Sequence, residues 1–232
     1  MTTTAEDLLA RVLYRDGLML IVDKPAGLPV HKGPKGGANL EELLDALRFG
    51  LPQRPALAHR LDRDTSGCLV LGRHRQALQR LGRLFAKGQV AKTYWAVVEG
   101  APPEEQGRIE LALARRSADP RSWWMKVDPE GLPAVTDFAV LGRTADLAWL
   151  ELRPQTGRTH QLRVHLAALH CPILGDTVYG ARAPGAPPLH LHARSLAVPL
   201  YPKRPAIAAT APPPAHMLAA LQACGGPAAA HF

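Results

Sequence analysis

Apolar and polar positions follow two rhythms along this chain, and each predicts a different kind of element. The apolar run Leu18–Val22 reads as a short strand that breaks at Lys24-Pro25 into a Gly/Pro loop. In "NLEELLDALRFG" the period changes: Leu40, Leu43, Leu44 and Leu47 share one helical face. Asn39 is placed to cap that helix, Glu42 stands at the capping-box position, and Gly50 is its stop signal. "CLVLG" reads as a buried strand. "RQALQRLGRLFAKG" reads as a helix with Leu78, Leu81 and Phe85 inward and Gln76, Arg80, Arg83 and Lys87 on the opposite face.

From Thr93 to Pro154 the rhythm is that of strands, in "YWAVVEG", "RIELALARR", "WWMKVD", "AVTDFAVLGR" and "LAWLELRP", separated by Pro, Gly and Asp signals. Short strands at such spacing predict a largely antiparallel or mixed sheet rather than repeated βαβ units. "TGRTHQLRVHLAALH" then reads as a loop entering a helix, with Thr159 as cap and Leu162, Leu166 and Leu169 on its buried stripe. "LHLHARSLAV" supplies another strand. The stretch 201–232 is rich in Pro and Ala and holds a short closing helix in "APPPAHMLAALQA". No repeat and no clear linker interrupts the pattern, so one α+β domain over 1–232 is expected.

Composition adds the kind of partner. Lys and Arg outnumber Asp and Glu 28 to 20, a net charge of +8. Such an excess suits a polyanionic partner, usually nucleic acid, and suits a plain basic soluble protein equally well; composition alone does not choose between them. The Gln76-Arg80-Arg83-Lys87 face is then either a solvated surface or a backbone contact. Cys68, Cys171 and Cys224 are odd in number and far apart, which implies reduced thiols rather than a disulfide framework. No apolar run has the length of a membrane span and no signal segment opens the chain, so a cytoplasmic protein without membrane contact is expected. A zinc site is improbable: His160, His165 and His170 recur every five residues, which points them apart on a helix, and no CxxC or HExxH accompanies them. No GxGxxG, Walker or GxSxG pattern appears, so neither cofactor nor metal is expected. Trp123-Trp124 can stack on bases, but paired tryptophans at a strand are more often core.

The stretch "HRLDRDTSG", His59 to Gly67, sets Asp62 among arginines just before the buried strand. Taken alone, Asp62 is a loop carboxylate in an ion pair. It stands, however, in an ordered series with "LMLIVDKPAGLPVH", "AKTYWAVVEG", "TGRTHQLRVH" and "GDTVYG". The series resembles the RluA family of RNA pseudouridine synthases, whose pattern is HRLDxxTSG, KxYxA, TGRxHQxR and GDxxYG. The likeness covers about residues 12–200.

The resemblance implies a pseudouridine synthase-like catalytic domain, a mixed and largely antiparallel bent sheet flanked by helices. It implies isomerisation of specific uridines in structured tRNA or rRNA hairpins, by a monomer, with no DNA partner. Asp62 matches the catalytic aspartate, Tyr94 the active-site tyrosine stacked near the base, and Arg163 the arginine paired with the aspartate. Arg60 matches the arginine that occupies the space of the flipped nucleotide, and Leu162 the apolar residue beside the uracil. His59, Arg158 and His160, in the same blocks, are carried as substrate-contacting positions.

These residue types suit the reaction. The bond from N1 to C1′ breaks, the uracil turns, and it rejoins through C5. An ionised carboxylate can attack sugar or base, or take a sugar proton. A guanidinium partner favours that ionised form and fixes its direction. A phenol can stack on uracil and help move the C5 proton. Arg63 and Asp64 are expected to be solvated neighbours.

The sequence departs from many relatives in two places. The first motif begins near Val12, so an S4 RNA-binding domain is not expected before it, and RNA selection rests on the catalytic domain. His170 and Cys171 stand where relatives commonly carry Gly and His. Two other readings remain: a nucleoside or glycoside hydrolase using Asp62, for which no second carboxylate stands out, and a non-catalytic RNA-binding protein on the same fold.

Overall fold

In the computed structural model, which describes residues 3–33, 36–119, 123–181 and 184–227, most apolar runs become the elements that their rhythm predicts, while "RIELALARR" divides into two strands, Gln106–Glu110 and Leu113–Arg115. The chain opens with α1 (Ala5–Leu9), β1 (Val12–Arg15), β2 (Met19–Lys24) and α2 (Leu40–Leu43). Next come β3 (Ala56–Leu57), β4 (Ser66–Gly72), α3 (Arg75–Ala86) and β5 (Ala91–Glu99). Then follow β6 (Gln106–Glu110), β7 (Leu113–Arg115), β8 (Met125–Val127), β9 (Val135–Arg143) and β10 (Leu147–Pro154). The series ends with α4 (Gln161–Ala168), β11 (Leu191–Val198), β12 (Ile207–Thr210) and α5 (Ala215–Ala223). Largely antiparallel strands with helices make this an α+β fold. Among the described residues no helix is long and apolar enough to cross a membrane.

The chain forms two compact units, residues 1–92 with 193–214 and residues 93–192 with 215–232, so the division falls inside β5 and β11. In the first unit β2 and β4 are buried along their whole length, which is why they read as unbroken apolar runs rather than alternating ones. They pair antiparallel, with β1 on the outer side of β2 and β3 on β4. Strand order continues through β11 to β12. Met19, Ile21, Cys68 and Val70 pack with Leu81 of α3 and with Leu196 and Val198 of β11. Gln76 and Arg83 of α3 and Lys87 at its C-cap are exposed and Arg80 is half-buried, so the polar face looks outward.

In the second unit the order is β5-β10-β9-β6, antiparallel at every step. Successive residues of β5 serve opposite faces, as pleating requires. Ala96 and Val98 join Leu150, Leu152, Leu162 and Leu166 under α4. Val97 joins Trp149, Met217, Leu221 and Cys224 under α5. The strands β7 and β8 form a separate two-stranded ribbon.

Three local expectations are corrected. The leucine helix is one α-turn that tightens into a 3-10 turn at Leu44–Leu47, although Asn39 does cap it by accepting the Glu42 N–H at 3.3 Å. Leu40, Leu44 and Leu47 are buried all the same, so the core contact survives the change of helix type. Thr159 does not cap α4; His160 occupies that position in the left-handed region at φ 52°. Trp123 and Trp124 are not core: they are 48% and 41% exposed.

Candidate active site

The candidate carboxylate of the first unit stands on a clamped turn. β4 begins at Ser66, and the turn Asp62–Thr65 leading into it closes through Thr65 N–H to the Asp62 carbonyl, 3.2 Å. The end of β2 holds this turn. Lys24 is fully buried, and its ammonium donates to the carbonyls of Pro25 at 2.8 Å and of Leu28 and Arg63 at 2.9 Å. Burial pushes Lys24 down to about 7, against the pull of Asp64, Asp62 and Asp23. Arg63, expected to be a solvated neighbour, has an exposed side chain that donates to the Gly27 carbonyl at 3.3 Å. The "DKPAG" and "HRLD" blocks therefore interlock through the backbone of residue 63, and Asp62 is half-buried beside that lock.

His59 contributes structure. Its Nε2 accepts the Val70 N–H at 3.0 Å, and its ring stacks on Phe85 with centroids 4.3 Å apart. Burial first, and then Lys92, push it down to about 3, which favours the neutral ring that accepts this bond. Between it and Asp62, Arg60 is exposed and Leu61 is buried.

In the second unit the structure brings Tyr94 and Leu162 into one apolar cluster, with Tyr94 paired across to Leu152. Arg163, in the first turn of α4, is buried. Its Nε and Nη2 donate to Oδ2 and Oδ1 of Asp176, both at 2.7 Å. The same carboxylate accepts the N–H groups of Val178 and Tyr179. Burial works to raise Asp176; Arg163 and those two amides outweigh it and hold the carboxyl below its ordinary range. The Tyr179 ring lies 5.2 Å from the Arg163 guanidinium carbon. Its hydroxyl oxygen is 2.8 Å from His160 Nδ1 and accepts the Met125 N–H at 2.8 Å. Thus "GDTVYG" acts as the cradle of the arginine in "TGRTHQLR", a link that spacing alone did not reveal.

Other members of that block are positioning groups. Gln161 accepts the Arg158 N–H and the Thr156 hydroxyl and donates to the Val135 carbonyl and Thr136 hydroxyl. His165 lies between Thr136 and the Leu111 carbonyl, 3.0 Å from each. Arg158 is half-buried and donates through Nε to the Pro133 carbonyl at 3.0 Å. These contacts fix the left-handed entry at His160 and so the direction in which Leu162 and Arg163 leave the helix. Lys24, Gln161 and Asp176 were missed as site residues because each works through a carbonyl, an amide or a guanidinium distant in sequence. The one signal available was that Lys24 and Asp176 lie inside apolar motif blocks. Among the described residues no three His, Cys, Asp or Glu gather as a metal site.

The sequence profile of the family described as RNA pseudouridylate synthase matches residues 18–168. An uncharacterised RNA pseudouridine synthase of Zymomonas mobilis is 44% identical over 209 residues, covering 89% of this chain and 95% of that protein. A ribosomal large subunit pseudouridine synthase D of the same organism is 35% identical over 184 residues, covering 75% and 57%. Among solved structures, human RNA pseudouridylate synthase domain containing 4 superposes with a TM-score of 0.80 at 30% identity, over 95% of each chain.

Proposed function

This chain belongs to the RNA pseudouridylate synthase family, an isomerase family acting on RNA, and from that premise we propose that it converts uridines in structured ribosomal or transfer RNA hairpins, with Asp62 as the catalytic carboxylate. The observation that carries the reading is the clamp on Asp62. A buried lysine and a chain turn hold a half-buried carboxylate at the entry to a fully buried strand, on the motif whose aspartate does the chemistry in this family. A relative named for the large ribosomal subunit supports ribosomal RNA as one target class.

In this reading Asp62 acts while ionised, on the sugar or the base, as the N1–C1′ bond breaks. The uracil turns and bonds to C1′ through C5; the C5 proton leaves and N1 ends protonated, so no atom is gained or lost. Tyr94 stacks beside the base, on the cluster that it shares with Leu162, and its hydroxyl assists the C5 proton. We assign Arg163, whose guanidinium is oriented by Asp176, the role of the arginine in the family's TGRxHQxR motif. Exposed Arg60 fills the space left by the flipped nucleotide.

The experiment is Asp62→Asn in the full chain, with a tritium-release or mass-spectrometric assay on hairpin RNA. Pseudouridine formation should fall to background while RNA binding persists, because phosphate contacts come from Arg and Lys. Substantial conversion by the variant, with deamidation excluded by mass, would sink the role of Asp62. Release of free uracil by the unaltered chain would turn the reading to hydrolysis. Pseudouridine mapping of tRNA and rRNA from cells with and without the gene identifies the target.

A further inference from the structure

The chemistry assigned above makes no use of Trp123 and Trp124. Both indoles stand at the entry to β8, about half exposed. Large apolar side chains exposed side by side mark contact sites more often than singly scattered ones do. Their setting is ordered by the ribbon. β8 runs antiparallel to β7, with Met125 opposite Arg115. Met125 turns inward, against Leu113, Ala134, Val164 and Tyr179. Beyond it the Arg115 guanidinium carbon lies 5.4 Å from the Trp123 ring centroid, within cation–π range. The Arg116 N–H donates to the Trp124 carbonyl at 2.7 Å, and Lys126 follows on the same strand.

The ribbon is also tied to the candidate site inside its own unit. The Met125 N–H bonds to the Tyr179 hydroxyl oxygen, and the Tyr179 ring adjoins Arg163. One backbone step therefore separates Trp124 from the residue that binds the cradle of Arg163. Indoles interleaved with Arg and Lys, on a chain of net charge +8, match a ligand that offers flat π faces and phosphate charge together. Unpaired RNA has both, whereas a duplex hides its base faces.

We propose that Trp123 and Trp124, mounted on Arg115 and the β7–β8 ribbon, form a stacking platform for unpaired bases flanking the target uridine. The proposal rests on the RNA-modifying reading above and adds to it a determinant of which RNA is taken. Flipping a nucleotide leaves its neighbours unstacked, and a platform beside the site receives one of them.

The test uses the full chain with fluorescein-labelled octauridylate and a blunt RNA duplex as probes, by fluorescence polarisation at fixed salt. Trp123→Ala and Trp124→Ala should each weaken octauridylate binding by about fivefold or more, the per-base value of aromatic stacking. Trp123→Phe should keep most of the affinity, the duplex should bind as before, and the salt slope should not change. Urea midpoints establish that the variants are folded. The platform is overturned by unchanged octauridylate affinity in the double variant, or by equal losses for duplex and single strand. A double variant that keeps RNA affinity but changes self-association in sedimentation also overturns it, in favour of a protein interface. Conversion of hairpin uridine by the unaltered chain, measured in parallel, separates the two readings. Conversion without any Trp effect removes the platform alone, whereas a Trp effect without conversion removes the catalytic reading alone.

Discussion

Arg163 and Asp176 meet through two parallel hydrogen bonds of 2.7 Å, a guanidinium fork on a carboxylate, with both side chains buried. A planar fork fixes the arginine in direction as well as charge, which a single contact does not. The arginine of the "TGRTHQLR" block is thus held in one orientation by the aspartate of the "GDTVYG" block.

Asp176→Asn removes the charge and leaves Arg163 buried against an amide. Breaking a buried pair in this way costs about 3–5 kcal/mol. Because the Asp176 carboxyl is held below its ordinary range, its contribution is complete above about pH 4 and is lost as pH falls further, through the folded-state pKa. Urea midpoints from pH 7 to pH 2 should therefore drop more steeply below pH 4 in the parent than in the variant. Parallel acid limbs would contradict the pairing as a source of stability.

Lys24→Met removes the donor from the carbonyls of Pro25, Leu28 and Arg63. Buried acceptors left without a partner cost about 1–3 kcal/mol each, so a loss of at least about 2 kcal/mol is expected in urea unfolding at pH 7. The initial rate of pseudouridine formation should fall with it, as the turn that carries Asp62 loosens. The pH signature is separate. With Lys24 pushed down to about 7 from 10.5, the folded chain holds fewer protons here than the unfolded chain across that interval. Stability from this group rises with pH over the window and is least below it. The rise should be seen in the parent and be missing in Lys24→Met.

Gly67 sits at φ 103°, and a Cβ there would come within 2.3 Å of the Ala193 carbonyl oxygen. Gly67→Ala combines strain of about 1–3 kcal/mol with a backbone clash that no rotamer relieves. A melting temperature lowered by several degrees is expected. A variant that melts with the parent would mean that the strands separate there at little cost.

His170 gives the opposite sign. After α4 the His170 N–H bonds to the Ala167 carbonyl and the Cys171 N–H to the Leu166 carbonyl, which is a Schellman ending with His170 left-handed at φ 58°. The turn is kept here at the cost of a left-handed L-residue, a position that glycine takes without strain. His170→Gly should raise stability by about 0.5–1 kcal/mol, or about 1–4 °C in the melting temperature, since the exposed imidazole contributes little. A lower melting temperature would show that the side chain supports the loop.

What could be read without coordinates was whatever neighbouring residues decide among themselves. Leu18–Val22 and Cys68–Gly72 are unbroken apolar runs because their strands are buried on both faces. Asn39 caps because an N-cap is local chemistry, whereas the helical segment ends at Leu47, with Phe49 already left-handed ahead of Gly50. The ordered motif blocks carry the family likeness and with it the positions of Asp62, Tyr94, Arg163 and Leu162. Tertiary structure alone decided who holds them. Lys24 reaches Arg63 across 39 residues, and Arg163 reaches Asp176 across 13. It also decided that Trp123 and Trp124 face solvent, while Gln161 and His165, polar by type, are buried with every group bonded. Burial and ion pairing depend on which distant segments the packed core brings together, and no local pattern of apolar and polar residues encodes that choice.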